Sequence, residues 1–186
     1  MIVDIGGGRT HVAVVSLGGI VVHGTLSSGG GDLDEAIMTW LRDNKGLIIG
    51  ERTSENLKVR VGSTTPELHR DLRMRIRGRD HDSGRPRELE VTAADLAAAV
   101  ADTVGQIRRV VLETLGKTPP ELSADIIDRG VLTCGGTSRL RGLDTQLRED
   151  TGLPVLQAED PERCVVRGAE LLLRDVALLE RVAAAL

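Results

Sequence analysis

Apolar and polar positions alternate along the chain at two spacings, one typical of strands and one typical of helices. At the N-terminus, three apolar runs separated by glycine turns predict a three-stranded meander. Between residues 72 and 77, leucine, methionine and isoleucine alternate with arginine, so we expect a strand with one buried face and a return strand through Leu89 and Val91. The meander strands are predicted at Ile2–Ile5, Val12–Leu17 and Ile20–Thr25.

Apolar residues spaced three and four apart predict helices between these strands. Asp32 with Glu35, and Thr92 with Asp95, have the capping-box spacing typical of helix starts. Thr53 opens a short helix that ends at Gly62. The predicted apolar stripes are Ile37, Trp40 and Leu41 before Gly46; Leu57 and Val61; and Leu96, Val100, Val104, Ile107, Val111 and Leu115.

The C-terminal part predicts a strand, a glycine turn, a helix, a short strand and a closing helix. The strands are expected at residues 130–134 and 155–157, and Asp160-Pro161 has the pattern of a cap followed by a proline in the first helical turn. The apolar stripes are Leu140, Leu143 and Leu147 in the first helix, and Val165, Ala169, Leu172 and Leu173 in the closing helix.

Composition narrows the class of protein. The 186 residues are 40% hydrophobic, which is enough for one sizeable core or two small ones. No run reaches the roughly 20 apolar residues of a membrane span, and the first residues, with Asp4 among them, differ from a signal peptide. We therefore expect a cytoplasmic protein. A net charge of −4 and a single aromatic residue, Trp40, argue against nucleic-acid binding.

Two cysteines, Cys134 and Cys164, are the only candidates for a disulfide. In an intracellular chain, a cysteine in a buried strand and another in a helix pattern usually remain reduced. We therefore expect both to be thiols.

The first glycine turn carries the clearest candidate chemistry. Asp4 precedes Gly6-Gly7-Gly8, and glycines accept positive φ angles and let backbone N–H groups approach a phosphate closely. The Asp4 carboxylate is suited to hold a metal ion through water. A tight hairpin turn without a ligand is the alternative that the local residues leave open.

Several segments together resemble MreB, the bacterial actin homologue. They follow one another in the order and spacing of that family: Asp4 to Thr10, Ser16 to Val21, Asp34 to Ile37, Gly50 to Lys58, Thr118 to Leu122, and Asp125 to Thr137. The resemblance covers nearly the whole chain but only the second half of the family. It implies an α/β protein with the second half of the actin-like ATPase (ribonuclease H-like) fold. Residues 1–30 and 95–186 would form an inner nucleotide-binding subdomain, and residues 31–94 an inserted outer subdomain.

The resemblance also implies a partial cleft for ATP and Mg²⁺. Asp4 would face the magnesium through water. His11 is a weak catalytic candidate, because actin has a histidine at the matching place. The implied nucleotide contacts are Gly7, Gly8 and Arg9 at the phosphates, Glu55, Asn56, Leu57 and Lys58 at the base and ribose, and Gly135, Gly136, Thr137 and Ser138 on the adenosine side.

Three positions depart from the family pattern. Arg9 stands where MreB usually has threonine, and a guanidinium there either pairs with phosphate or obstructs the turn. His11 stands where MreB tends to have glutamate. The alternative to a catalytic role is a strand histidine that is exposed to solvent or already hydrogen-bonded within the protein. Glu55 and Lys58 lie three apart on a predicted helix, so a surface ion pair is the alternative to nucleotide contacts. Thr137 replaces a third glycine, as in actin.

By resemblance, the leading hypothesis is a truncated MreB-like cytoskeletal protein of bacterial cell-shape determination. We expect little or no ATPase from this chain alone, because the water-orienting group belongs to the first half of the family. The implied partners are other MreB-like subunits, in a filament or capping contact, and morphogenesis proteins at the membrane, without direct membrane insertion. The alternatives are an Hsp70-like ATPase fragment, suggested by Gly30-Gly31-Asp32-Leu33-Asp34, and a non-functional remnant.

An arginine cluster on the predicted hairpin offers a second kind of function. In MreB this lobe contributes to contacts between successive subunits, whereas a solvated strand face is the ordinary alternative. The cluster consists of Arg70, Arg73, Arg75, Arg77, Arg79, Arg85 and Arg87.

Overall fold

The structure is a computed structural model that describes residues 1–184, so the last two residues of the predicted inner subdomain lie outside the described residues. The described chain forms β1 (Ile2–Ile5), β2 (Thr10–Ser16), β3 (Gly19–Leu26), α1 (Gly30–Lys45), β4 (Leu47–Ile48), α2 (Glu51–Val61), β5 (Arg73–Asp80), β6 (Pro86–Thr92), α3 (Ala93–Gly116), α4 (Pro120–Arg129), β7 (Val131–Cys134), α5 (Leu143–Thr151), β8 (Val155–Gln157), α6 (Cys164–Arg174) and α7 (Val176–Ala184). Short 3₁₀ turns lie at Pro66–Leu68, Gly136–Arg139 and Pro161–Arg163.

The chain divides into two compact units. Unit 1 comprises Met1–Gly29, Gln106–Arg139 and the chain from Asp144 onward, and unit 2 comprises Gly30–Gly105 and Leu140–Leu143. These units are defined by compactness alone. The assignment of residues 31–94 to an outer subdomain in the family sense stays a prediction.

Unit 1 is built on a five-stranded sheet in the order β3-β2-β1-β7-β8. The first three strands are antiparallel, as the predicted meander requires, whereas β7 and β8 run parallel to β1. Val3, Ile5 and Val12 are buried on this sheet, and Ile107 is buried on α3. Arg108 on α3 makes a two-pronged ion pair with Asp150 on α5, with 2.5 Å between Arg108 Nη2 and Asp150 Oδ1.

Unit 2 combines α1, α2 and the first part of α3 with a three-stranded antiparallel sheet in the order β4-β5-β6. The predicted alternation on β5 is confirmed: Ile76 is buried, while Arg75 and Arg77 are exposed. The capping box at the start of α3 is also confirmed. Thr92 N donates to Asp95 Oδ2 over 3.0 Å, and Asp95 N donates to Thr92 Oγ1 over 3.3 Å.

Several element boundaries differ from the predicted ones. Helix α1 begins at Gly30, so Asp32 lies in its first turn, and α2 begins at Glu51 rather than at Thr53. Leu140 lies before α5, in the short segment of unit 2 where Arg141 forms an isolated bridge with Ser63. Helix α4 and strand β4 were not predicted.

The closing helix differs most from its prediction. It starts at Cys164 after a 3₁₀ turn, and Asp160 makes no side-chain hydrogen bond to cap that turn. A separate helix, α7, follows it. The apolar side chains of α6 are largely exposed, with Val165 65% and Leu173 81% accessible. Among residues 1–184, no helix combines the length and the apolar character that crossing a bilayer requires.

Candidate functional site

A row of polar side chains crosses the sheet of unit 1 at one level. Asp4 on β1 lies opposite His11 on β2 and opposite Cys134 on β7, and His11 lies opposite Thr25 on β3. Residues opposite one another in adjacent strands project from the same face, so these four side chains are neighbours. His11 is exposed, and its Nδ1 is 3.3 Å from Thr25 Oγ1. Asp4 is half-buried at the centre of the row.

The first glycine turn joins β1 to β2 and is open on its outer side. Gly6 N donates to Arg9 O over 2.9 Å, which closes the turn. A Cβ added at Gly7 or Gly8 would meet nothing within 4 Å. None of the three glycines has a positive φ, so this turn does not use the left-handed conformations that glycine permits. What they supply is bare, exposed backbone, which is the feature that an anion needs.

The inner side of the same turn is tightly braced. A Cβ at Gly29 would lie 2.5 Å from Gly6 O and 2.9 Å from Gly7 O, so only glycine fits there without displacing the turn. Thr137 Oγ1 donates to Gly6 O over 2.9 Å. Buried Thr10, the residue after the turn, donates through its hydroxyl to Ser28 O over 2.9 Å. Gly29 was not among the predicted site residues, although it opens the Gly29-Gly30-Gly31 run that the sequence displays.

The second glycine turn follows β7 and packs against the first strand. Gly135 has a φ of +81°, and a Cβ there would lie 2.5 Å from Asp4 Oδ1. Its N–H donates to Pro161 O over 2.8 Å. Both the conformation and the lack of space therefore require glycine at this position. A Cβ at Gly136 would touch only Glu162 Cγ, at 3.6 Å.

The hydroxyls of the second turn serve the protein's own structure. Thr137 holds Gly6, as described above. Ser138 is buried and donates to Gly135 O over 2.7 Å, and Gln157 Nε2 donates to Ser138 O over 2.8 Å. The structure thus brings Asp4, the first turn and the second turn together within unit 1. Thr137 links the two turns.

Cys134 and Cys164 are free thiols at the edge of this arrangement. Cys134 is buried, and burial raises its pKa to about 12, with the neighbouring Asp4 carboxylate and the Cys164 thiol adding to the rise. Cys164 is partly exposed, and its Sγ donates to Asp160 O over 3.4 Å. At neutral pH the Cys134 thiol is therefore protonated and available as a donor to Asp4.

The predicted base and ribose contacts lie on α2 in unit 2, and most of them already have structural roles there. Lys58 Nζ donates to Asp34 Oδ2 over 2.5 Å and to Gly30 O over 2.8 Å. Leu57 is fully buried, and Asn56 Nδ2 donates to a backbone carbonyl one turn earlier. Glu55 is exposed. The alternative of a surface ion pair between Glu55 and Lys58 is wrong, because Lys58 pairs with Asp34 instead.

The Asp34–Lys58 pair is an unusual feature of unit 2. Burial raises the pKa of Asp34, hydrogen bonding and charge from Lys58 oppose that rise, and Glu55 and Glu51 add to it. Asp34 Oδ1 is buried and has no hydrogen-bond partner among the residues that the structure describes. Lys58 is therefore the group that offsets a costly buried carboxylate.

Two arginines of the β5–β6 hairpin face glutamates across the strand pair. Arg75 lies opposite Glu90, and Arg77 lies opposite Glu88 with 3.1 Å between Arg77 Nε and Glu88 Oε2. These ion pairs are exposed, with Arg77 88% accessible, and exposed pairs contribute little to stability. The face is thus a solvated ladder of paired charges rather than a purely basic patch.

Solved structures of actin-like proteins share this fold. MreB 5 of Spiroplasma citri bound to AMPPNP has a TM-score of 0.87 and 30% identity, and the match covers 100% of this chain and 55% of that chain. MreB5 of the same organism bound to ADP has a TM-score of 0.88 and 34% identity, covering 93% and 52%. A MamK double helical filament has a TM-score of 0.77 and 23% identity over 94% and 54%. The fold is therefore that of the actin-like ATPases.

The sequence comparisons identify the family within this class. The model of the MreB/Mbl protein family matches residues 1–181. The cell shape-determining protein Mbl of Bacillus subtilis (strain 168) is 42% identical over 173 residues, which are 93% of this chain and 52% of Mbl. MreB of Escherichia coli (strain K12) is 43% identical over 169 residues, or 90% and 48%. The chain belongs to the MreB/Mbl family.

These matches also bear on the Hsp70-like alternative. The chain spans about half the length of the curated relatives it matches. The family match covers nearly all of the chain, so the Hsp70-like alternative is not favoured.

Proposed function

We propose that this chain belongs to an actin-family protein of bacterial cell-shape determination and that its unit 1 binds the phosphates of ATP together with Mg²⁺. The observation that carries the proposal is the first glycine turn, which is open on its outer side at Gly7 and Gly8 and braced from behind by Gly29 and Thr137. A pre-formed turn of bare backbone costs no reorganisation when an anion arrives. Two similar structures, both of MreB5, carry AMPPNP or ADP, which supports the nucleotide.

The residues of unit 1 are chemically suited to both the phosphates of ATP and Mg²⁺. Gly7 and Gly8 leave room for phosphate oxygens beside their N–H groups, and exposed Arg9 adds a positive charge next to them. The half-buried Asp4 supplies one carboxylate, and no group of three or more acidic, histidine or cysteine side chains forms a metal site within residues 1–184. Mg²⁺ commonly binds proteins through one or two carboxylates plus water and substrate phosphates, where it neutralises phosphate charge.

The other predicted contacts stay predictions. Gly135 and Gly136 would border the adenosine, and Glu55 of unit 2 is exposed and available to a hydroxyl or an amino group. To contact the nucleotide, Lys58 would either keep its ion pair with Asp34 or give up that pair for the contact with the nucleotide. Ser138 and Leu57 are buried, so only their backbones are candidates. His11 keeps its weak candidacy as a catalytic residue.

Calorimetric titration with Mg-ATP tests the proposal. Gly7→Asp places a carboxylate in open space, so the variant should fold while repelling phosphate. Gly7→Asn, which has the same shape without the charge, is the matched control. Two like charges about 4 Å apart near a protein surface repel by several kcal/mol, so we expect Gly7→Asp to lose at least about tenfold in affinity relative to Gly7→Asn.

The outcomes separate the possibilities. Saturable binding that Gly7→Asp loses and Gly7→Asn keeps would support phosphate binding at the first turn. Equal affinities for the two variants would place the nucleotide elsewhere. No binding by the unsubstituted chain would favour the remnant hypothesis or a role that needs other parts of the protein.

We further propose that the protein's partners are other MreB-like subunits, with morphogenesis proteins at the membrane as indirect contacts. The paired charges of the β5–β6 hairpin offer an exposed surface of alternating sign, to which another subunit could add complementary charges. Sedimentation velocity with Mg-ATP tests self-association. Loss of the larger species in Arg77→Glu, but not in Arg77→Lys, would implicate the hairpin charge.

A further inference from the structure

The two cysteines of the chain are about 30 residues apart in sequence, but the fold brings together the two segments that carry them. Cys134 is the last residue of β7, and Cys164 is the first residue of α6. The hydrogen bond from Gly135 N to Pro161 O, 2.8 Å long, holds the end of the strand against the 3₁₀ turn that leads into α6. Cys134 is also the partner of Asp4 across the β1–β7 register, and the pKa of its thiol is raised by the nearby Asp4 carboxylate and Cys164 thiol.

The two thiols differ in their access to solvent. Cys134 is only 6% exposed, whereas Cys164 is partly exposed at the start of a helix whose apolar face is open. A small oxidant therefore reaches Cys164 first, and Cys134 is placed behind it as the second thiol. Solvent access and a second cysteine nearby are two of the features that redox-sensitive cysteines share.

We propose that Cys134 and Cys164 form an intramolecular disulfide when the protein meets a hydroperoxide. In the first step, the Cys164 sulfur attacks hydrogen peroxide, the O–O bond breaks, and the products are a sulfenic acid and one water. In the second step, the protonated Cys134 thiol passes its proton to the sulfenic oxygen as its sulfur attacks the Cys164 sulfur, the S–O bond breaks, and water leaves. Two thiols are oxidised and one peroxide is reduced to two waters.

The disulfide has a consequence for the candidate site, and this consequence rests on the proposed function. The disulfide has no S–H group, so Asp4 loses the donor that Cys134 supplies. The sulfurs must also close to about 2.05 Å, which pulls on Cys134 and on the Gly135 turn that follows it. Gly135 packs closely against Asp4, so a shift of Cys134 should also move the glycine turn that contains Gly135. We expect the oxidised protein to bind Mg-ATP more weakly than the reduced protein.

Mass spectrometry of the full chain after treatment with hydrogen peroxide tests the disulfide directly. We expect a mass loss of about 2 Da per chain and, after tryptic digestion without reductant, a linked pair of peptides 130–139 and 164–167. Cys164→Ser and Cys134→Ser should each abolish the link. Dithiothreitol should restore the original mass.

Thermal unfolding gives a second readout that does not depend on nucleotide. Closing a loop of about 30 residues should raise the Tm of the oxidised protein by about 5–10 °C, and peroxide-treated Cys164→Ser should show no such rise. Linked dimers on a non-reducing gel, or sulfinic and sulfonic acids without a linked peptide, would overturn the proposal. If the disulfide forms but Mg-ATP affinity is unchanged, the coupling to Asp4 is wrong. If reduced protein does not bind Mg-ATP, the proposed function fails and the disulfide result stands alone.

Discussion

Alanine at position 29 tests whether the first glycine turn is held from behind. The added Cβ would lie 2.5 Å from Gly6 O and 2.9 Å from Gly7 O. Both neighbours are backbone atoms, so neither can rotate away as a flexible side chain would. The turn or the segment before α1 must therefore move. Gly7→Ala is the matched control, because its Cβ would enter open space.

The expected magnitude follows from this geometry. Overpacking of this kind costs about 1–3 kcal/mol. Replacing glycine by alanine also restricts the unfolded chain and returns about 0.4–1 kcal/mol, but this gain is shared by Gly29→Ala and Gly7→Ala and cancels when the two are compared. We therefore expect Gly29→Ala to have a free energy of unfolding about 1–3 kcal/mol below that of Gly7→Ala. For a chain of this length the difference corresponds to a Tm about 2–12 °C lower.

Thermal and urea unfolding, followed by circular dichroism, measure the difference. Trp40 on α1 is the only tryptophan, so its fluorescence reports on unit 2 separately, and coincidence of the two signals would show whether the chain unfolds as one unit. Equal stabilities of Gly29→Ala and Gly7→Ala would refute the bracing role of Gly29. A larger loss in Gly7→Ala would show that the outer side of the turn is not open.

Three further predictions concern groups whose environment the structure defines. Arg108→Met should lower the free energy of unfolding in urea by about 1.5–3 kcal/mol at pH 7. The guanidinium of Arg108 holds the pKa of Asp150 low, so this loss should shrink as the pH falls from about 5 toward 2, and a loss independent of pH would contradict the pairing. Burial raises the pKa of Asp34, so Lys58→Met should become less stable as the pH rises from about 4 to 7, whereas Lys58→Met with Asp34→Asn should show no such trend in the same titration. Gly135→Ala should lose about 2 kcal/mol or more by thermal unfolding, because it combines a φ of +81° with a blocked Cβ position; a wild-type Tm would exclude that strain.

Local patterns in the sequence predicted the order of elements well. The period-two runs of the meander and of β5, the spacing of α3 and the Thr92–Asp95 box all depend on residues close together in the chain, and the structure confirms them. The glycine turns and their companion motifs also indicated the family, which the comparisons confirm. The actin-like ATPase fold could be expected from them because the family's motifs lie at its turns.

Contacts between distant residues decided the rest. The sequence displays Gly7 and Gly29 alike, but only the fold shows that Gly7 borders open space while Gly29 faces two carbonyls. From the sequence, Lys58 is indistinguishable from a surface cation. The structure shows that it pairs with Asp34 on α1.

What the sequence determined by itself is most of the succession of strands, helices and turns, without α4, β4 and α7, because periodicity, capping and turn chemistry act within a few residues. The tertiary structure decided which side chains are buried or paired inside the fold and which are exposed to a ligand. The tertiary structure also decided that the end of β7, with Cys134, lies against the turn before Cys164, and that the apolar face of α6 is exposed. Burial, steric fit and charge pairing depend on atoms that the fold brings together from distant positions, and no local pattern records them.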